Sequence, residues 1–433
     1  MYVTFRTCGT RKTNSARSLS CVFVNDIRIP DVSVIIGAYE AMPYLVRCLQ
    51  SLDAQTLPAD RFEIIAVDDG STDGTGAYLD EFAARTAVPT TVIHQANSGG
   101  PSGPRNVGLA RARGRFVFFL DADDFLGFEA LERMVAIADK AGTDVVLGKM
   151  VGVNRGAAGS MWKRQDEERV DVFASRVIYT LSAQKLFRRE LLVRHGITFD
   201  ESMSTGEDAL FTMAAYLLGA GVSVVSEYVC YYLVGRDDGL HVTRSGGYEP
   251  RFEALTALVE LIAALVPEGP KRDFLMARPF TVGLIQQFGP AVVEESEQVR
   301  AHKLRLAAPI AKYWTPGVAK LIKVNERLRL ECVARGRLDL LAEMHRYIAA
   351  RHTPKVVRAD QGDAVYLAYP HFRKPGADIP DEVFEMTVPE WSVSKRLQAP
   401  ARPKPGQGEA APTLARRVVR RVRRDMRRWK SSV

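Results

Sequence analysis

No run in this chain approaches the roughly 18 uninterrupted apolar residues of a membrane-spanning helix. Cysteine is scarce: Cys8, Cys21, Cys48, Cys230 and Cys332 are five, an odd number, and widely scattered. They form neither a disulfide framework nor a metal-ligand spacing, which favours a reducing, cytosolic compartment. Internal repeats are absent. Arg6, Arg11, Lys12 and Arg17 make the start basic, but its only apolar piece, Cys21 to Val24, is too short for a signal-peptide core. Residues 1–29 are therefore expected to be a disordered extension. Excess charge is also missing from most of the chain. The net charge is +8, and the stretch Arg416 to Lys430 holds eight Arg, one Lys and one Asp, which is that whole excess. A neutral body with a basic tail is not a general nucleic-acid binder, and no nucleic-acid partner is expected.

What is present fits a soluble globular chain, with 46% apolar and 25% charged residues, and 433 residues suffice for two or three domains. The chain is organised around Phe116-Val117-Phe118-Phe119-Leu120, which reads as a strand buried on both faces. Asp121, Asp123 and Asp124 follow at its C-terminal end. Such a cluster repels itself unless a cation or hydrogen-bond donors compensate it. In an open α/β sheet that end is where ligands bind, and an Asp-x-Asp step there suits a divalent metal carrying a diphosphate. A solvated acidic turn is the bland alternative.

Upstream, Val32 to Ile36 reads as a first strand, Tyr44 to Leu52 as a helix and Phe62 to Val67 as a second strand ending in Asp68-Asp69-Gly70-Ser71-Thr72-Asp73-Gly74. A helix carrying Tyr78, Leu79 and Phe82, a short strand Thr91 to Ile93, the Gly-rich turn 97–103 and a helix beginning at Arg105 complete the run up to Phe116. The alternation predicts right-handed β-α-β units in a mostly parallel, Rossmann-like sheet. Two acidic groups at the ends of two strands, with Arg105 between them, are better explained by one shared nucleotide-diphosphate site than by two chance turns. Asp73 is equally well explained by turn and cap chemistry.

In that order, Asp31 to Ile36, Val67-Asp68-Asp69-Gly70-Ser71-Thr72-Asp73, Asn97-Ser98-Gly99-Gly100, Arg105-Asn106-Val107-Gly108 and Leu120-Asp121-Ala122-Asp123-Asp124 resemble the catalytic domain of family 2 glycosyltransferases. The resemblance covers residues 30–245 and implies a GT-A fold, an inverting enzyme and a nucleotide-sugar donor. It implies nucleoside contacts from Ala38 and Tyr39, although Glu40 stands where the family commonly has Asn. Asp69 would pair with the uracil edge, Arg105 would lie near base and phosphates, Asp121 would hold the ribose, and Asp123 would hold a divalent metal, Mg²⁺ or Mn²⁺. The Asp of Thr205-Gly206-Glu207-Asp208 takes the general-base role by the same resemblance, with Glu207 positioning it or the acceptor. Helix N-terminal acidity is the simpler alternative for that pair. Arg236, His241 and Arg244 fall in a polar loop that in relatives closes over the diphosphate and adds a His ligand.

Val145 to Val151 reads as a strand, Trp162 to Arg169 as a loop whose Trp either stacks on a sugar or is half-buried, and Val222 to Val234 as a strand pair. Residues 246–350 read as a helical region that packs on the transferase domain or against a second copy, and its layout resembles the linker of wall-teichoic-acid glycosyltransferases. Residues 351–397 are mixed, with a strand at Ala364 to Leu367, and 398–412 are a Pro-rich linker. The tail 413–433 places Leu414, Val418, Val422, Met426 and Trp429 on one helical face among Arg, which suits an anionic membrane surface or, alternatively, a polyanion. The expectation is a peripheral enzyme on the inner face of the cell membrane. It would move a sugar from a UDP-sugar, such as UDP-N-acetylglucosamine, to a cell-surface glycan or polyol-phosphate acceptor. A nucleotidyltransferase would leave Glu207-Asp208 without a role, and a non-catalytic glycan- or membrane-binding scaffold would tolerate loss of Asp208.

Overall fold

The computed structural model describes residues 29–157, 162, 165–236, 247–387 and 390. The first part runs β1 (Val32–Ala38), α1 (Tyr44–Asp53), β2 (Phe62–Asp68), α2 (Thr75–Arg85), β3 (Thr90–His94), α3 (Ser102–Arg111) and β4 (Phe116–Phe119). It continues through β5 (Phe125–Leu126), α4 (Ala130–Ala141), β6 (Val145–Val153), β7 (Glu167–Val170), β8 (Leu186–Arg188), α5 (Arg189–His195), α6 (Glu207–Leu218) and β9 (Val222–Val234). These strands form one sheet in the order β3-β2-β1-β4-β8-β6-β9-β5, with β7 paired to β9. Every residue of β2 and β4 is buried, including Glu63, whose carboxylate accepts from Ser33 Oγ at 2.6 Å and Arg113 Nη2 at 2.6 Å.

On one sheet face, Val34, Ile36, Phe116 and Phe118 pack with Leu45 and Leu49 of α1, Leu79 and Phe82 of α2, and Leu131 and Met134 of α4. On the other, α3 rides close to β1: a Cβ on Gly108 would lie 2.4 Å from Ile35 Cγ2. Glycine is what allows that approach. Phe119 meets Phe199 and Phe211 edge-on, with centroids at 5.0 and 5.5 Å, and the latter two stack at 4.1 Å. This aromatic cluster seats the first turns of α6 beneath the end of β4.

The sheet is mixed rather than mostly parallel. β1, β2, β3 and β4 pair in parallel, as do β6 and β9, but β8 runs antiparallel to both β4 and β6. The chain enters β8 from the ligand-binding side of the sheet, without a crossover helix. The start of β8, not its end, therefore faces the site. Val222 to Val234 is one strand of 13 residues, not a pair. The polar step Ser226-Glu227 is a bulge whose two N–H groups donate to Asp166 Oδ1 at 2.7 and 2.8 Å, and the register against β6 shifts near Lys149. β7 lies within the stretch expected as a loop, because it is a polar edge strand with little apolar signal.

Downstream come α7 (Glu249–Leu265), α8 (Pro270–Arg278), a π-helical turn (Pro279–Leu284) running into α9 (Ile285–Gln287), α10 (Glu297–Ala311), α11 (Pro316–Lys320), α12 (Val324–Ala334) and α13 (Leu338–Ala349). The sheet and these helices, through Ile322 and over Glu326–His352, group as one compact unit. The second unit contains an antiparallel pair, β10 (Lys355–Arg358) and β11 (Val365–Ala368), with Phe372 packed between the rings of Tyr366 and Phe384. Among the described residues no helix is long and apolar enough to cross a membrane. The basic tail lies outside the described residues.

Candidate active site

The C-terminal ends of β1, β2 and β4 meet where strand order reverses, the usual ligand crevice of such sheets. After β4 the chain turns sharply, with Asp124 N–H on Asp121 C=O at 3.1 Å. Asp124 is buried and serves as a tether. It accepts from Tyr231 Oη at 2.8 Å and from Val234 N at 2.7 Å, both on β9. Burial, with Asp121 and Asp123 beside it, pushes its carboxyl up to about 8, against those two donors. Asp121 turns the other way: its Oδ1 accepts from Arg105 Nη2 at 2.9 Å and its Oδ2 from Gln184 Nε2 at 2.5 Å. Asp123 is half-buried between them.

Arg105 is the centre of the site. Its side chain is only 9% exposed and lies 5.3 Å over the Phe199 ring. Nη1 donates to Asp208 Oδ1 at 2.8 Å and stands 3.5 Å from Glu207 Oε1. Burial opposes the guanidinium charge, but Asp208, Asp121 and Glu207 outweigh it and raise its pKa. Glu207 and Asp208 open α6 after Gly206, whose φ of +85° suits glycine. Burial and then Asp208 push the Glu207 carboxyl up to about 7, with Arg105 opposing. The resemblance placed Arg105 near base and phosphates; its guanidinium bridges Asp121 to the Glu207–Asp208 pair.

Asp69, 2% exposed, belongs to a second group. Its carboxylate accepts from Gln95 Nε2 at 2.6 Å, Ser98 N at 3.1 Å and Ser98 Oγ at 2.9 Å. Asp68 accepts from Ser71 N and contacts His94 Nδ1 at 3.0 Å. Asp73 accepts from Met42 N and Thr75 N, the cap role weighed for it. Ala38 ends β1 and Tyr39 is 53% exposed at its mouth. Glu40 ties the two loops together: its Oε1 accepts from Thr72 N at 2.7 Å and its C=O from Arg236 Nη2 at 2.9 Å. Arg236 also lies 5.0 Å over the Tyr44 ring. His241 and Arg244 are outside the described residues. Trp162 is half-buried with a shielded, unpartnered indole N–H.

Among the described residues no three His, Cys, Asp or Glu side chains converge as a metal cage. The oxygen donors that are there suit a hard cation bound largely through a substrate's phosphates. Gln95, Gln184 and Tyr231 were not singled out from the sequence, and Ser98 was read only as part of the Asn97-Ser98-Gly99-Gly100 motif. Only the antiparallel entry of β8 shows that Gln184 reaches Asp121.

Residues 33–200 match the family model described as Glycosyl transferase family 2, and 249–345 match the Glycosyl transferase TarS linker domain. The poly(ribitol-phosphate) beta-N-acetylglucosaminyltransferase TarP of Staphylococcus aureus is 30% identical over 50% of this chain and 67% of its own length. The chain belongs to glycosyl transferase family 2. A second relative of this glycosyltransferase, the poly(ribitol-phosphate) beta-glucosyltransferase of Bacillus spizizenii, is 38% identical over 54% of the chain. Only 36% of that relative's own length is covered. The structure of S. aureus TarS 1-349 in complex with UDP-GlcNAc superposes with a TM-score of 0.70 at 29% identity, covering 79% of this glycosyltransferase and 97% of that chain.

Proposed function

We propose that this glycosyltransferase moves a sugar from a UDP-sugar to a hydroxyl of a polyol-phosphate polymer, with inversion at the anomeric carbon. The observation that carries the reading is the Arg105 bridge, which holds Asp121 and Asp208 to one guanidinium. Asp69, with Ala38 and Tyr39, takes the uracil, and Asp121 takes the ribose. The relatives named above act on poly(ribitol-phosphate), which supports that acceptor class.

The chemistry is a single displacement. Asp208 Oδ1 is held by Arg105, which leaves Oδ2 to accept the proton of the acceptor hydroxyl. The hydroxyl oxygen bonds to the anomeric carbon as the bond to the diphosphate oxygen breaks, and UDP leaves with that electron pair. Arg105 holds the base at a fixed distance from the ribose-binding carboxylate, and Glu207 supports it. Asp123 would hold a divalent cation, Mg²⁺ or Mn²⁺, with His241 a further ligand; such an ion supplies neutralisation of the leaving diphosphate. The basic tail, by its Arg-rich amphipathic pattern, would bring the enzyme to an anionic membrane surface.

The test compares UDP-sugar hydrolysis and transfer to poly(ribitol-phosphate) by the wild type, Asp208→Asn and Asp123→Ala. Asp208→Asn should lose about 10²–10⁴-fold in transfer while UDP affinity stays within about threefold. Chelation should stop the wild type, and Asp123→Ala should be inactive with either metal. Transfer surviving in Asp208→Asn would refute the base assignment. Absence of hydrolysis and UDP binding with any metal would refute the enzyme reading.

A further inference from the structure

Thr212 and Tyr216 follow Asp208 along α6 at steps of four residues, so all three share one face of the helix. The latter two tie that face to the segment leading into β8. Tyr216 Oη donates to the Thr180 carbonyl at 3.0 Å, and Thr212 Oγ1 donates to the Ser182 carbonyl at 3.2 Å. Two residues beyond Ser182, Gln184 Nε2 reaches Asp121 Oδ2 at 2.5 Å. Arg105 closes the ring, with Asp121 Oδ1 at 2.9 Å on one side and Asp208 Oδ1 at 2.8 Å on the other. The carboxylates proposed for the ribose and for the base are thus joined twice, once by Arg105 and once through the turn 182–184.

Lys185 locks that turn. It is 1% exposed, and its Nζ donates to the same Ser182 carbonyl that Thr212 holds, with the Ser182 hydroxyl at 3.5 Å. Its backbone N–H returns to the Ala183 carbonyl at 2.7 Å. Ala183, Gln184 and Thr212 are buried as well, so protein groups rather than bulk water satisfy the turn. Burial pulls the Lys185 ammonium down to about 7, with Asp208 opposing and Arg278 adding to the fall. A buried cation spent on a backbone carbonyl rather than a carboxylate is costly, but its charge-assisted bond is stronger than a neutral one. Between residues three apart in sequence, such a bond joins no distant parts of the fold. What it fixes is the direction of Gln184.

We propose that Lys185 is a positioning residue for the donor: with Thr212 it fixes the Ser182 carbonyl, and so aims Gln184 at Asp121 and keeps Asp121 turned to the ribose. The inference rests on the reading of Asp121 as the ribose carboxylate.

The test is a double-mutant cycle on the full chain. It measures UDP affinity by calorimetry with Mg²⁺ or Mn²⁺ present, and donor KM and kcat in UDP-sugar hydrolysis. Lys185→Met keeps the length of the side chain and removes the N–H donor. It should weaken UDP binding and raise the donor KM about threefold to tenfold, with kcat within about twofold. In a Gln184→Leu background the same change should add less than about twofold, because the group it positions is already gone. Thr212→Val, run through the same cycle, should show a smaller effect of about twofold to fivefold, and it carries the test if Lys185→Met does not fold. Unchanged UDP affinity in the folded Lys185→Met and Thr212→Val variants beside a weakened Gln184→Leu, or losses that add in full to that of Gln184→Leu, would overturn the inference alone. Unchanged affinity in Gln184→Leu too would overturn it together with the ribose assignment of Asp121.

Discussion

Replacing Arg105 by Gln removes the one cation that three carboxylates share. The side chain is 9% exposed, whereas Asp121 is 33%, Asp208 27% and Glu207 10% exposed. Removing one partner of a buried ion pair costs about 3–5 kcal/mol. Because water reaches two of the three carboxylates, the lower end applies, about 3 kcal/mol, or a fall of about 4–5 °C in the melting temperature of a unit this large. The loss should depend on pH in a definite sense. Glu207 already has its folded pKa raised above the unfolded value, by burial and Asp208 against the opposition of Arg105. Without Arg105 it rises further. A raised carboxyl costs no stability below its unfolded pKa and costs progressively more as pH climbs through the folded one. The gap between variant and wild type should therefore be widest near pH 8 and narrow towards pH 5. Thermal and urea denaturation at both pH values measure it. A melting temperature within about 2 °C of wild type at pH 8, or a gap of equal size at pH 5, would refute the shared-cation argument. Arg105→Lys should restore the charge but not the two-sided fork, and so recover only part of the stability.

Two further outcomes follow from close contacts. Gly108→Ala would press a methyl group to 2.4 Å from Ile35 Cγ2 and lift α3 from the sheet; a loss of about 1–3 kcal/mol in urea unfolding is expected, smaller when combined with Ile35→Ala. Gln184→Leu strips the second anchor from Asp121, the carboxylate proposed to hold the ribose, and should raise the donor KM about tenfold in initial-rate measurements.

Local pattern was enough for the framework. The apolar runs at Val32, Phe62 and Phe116 became β1, β2 and β4, and the helical spacing from Tyr44 became α1, because strand and helix burial leave a periodic trace within one element. The Asp-x-Asp and Gly-Glu-Asp steps stood out for the same reason: each is a cluster of charges at the end of an apolar element. What joins these pieces has no local trace. Arg105 meets Asp208 across 103 positions and Asp124 meets Val234 across 110. Whether a carboxylate at the end of β4 faces the ligand side or tethers the sheet depends on which strand lies beside it. The sequence by itself determined the element types, the family motifs and where charge would collect. Only the tertiary structure decided that β8 runs antiparallel and brings Gln184 to Asp121. It also decided that one guanidinium, Arg105, joins Asp121 to Asp208. Those facts depend on strand order and helix packing, and side-chain partners follow from proximity in space rather than along the chain.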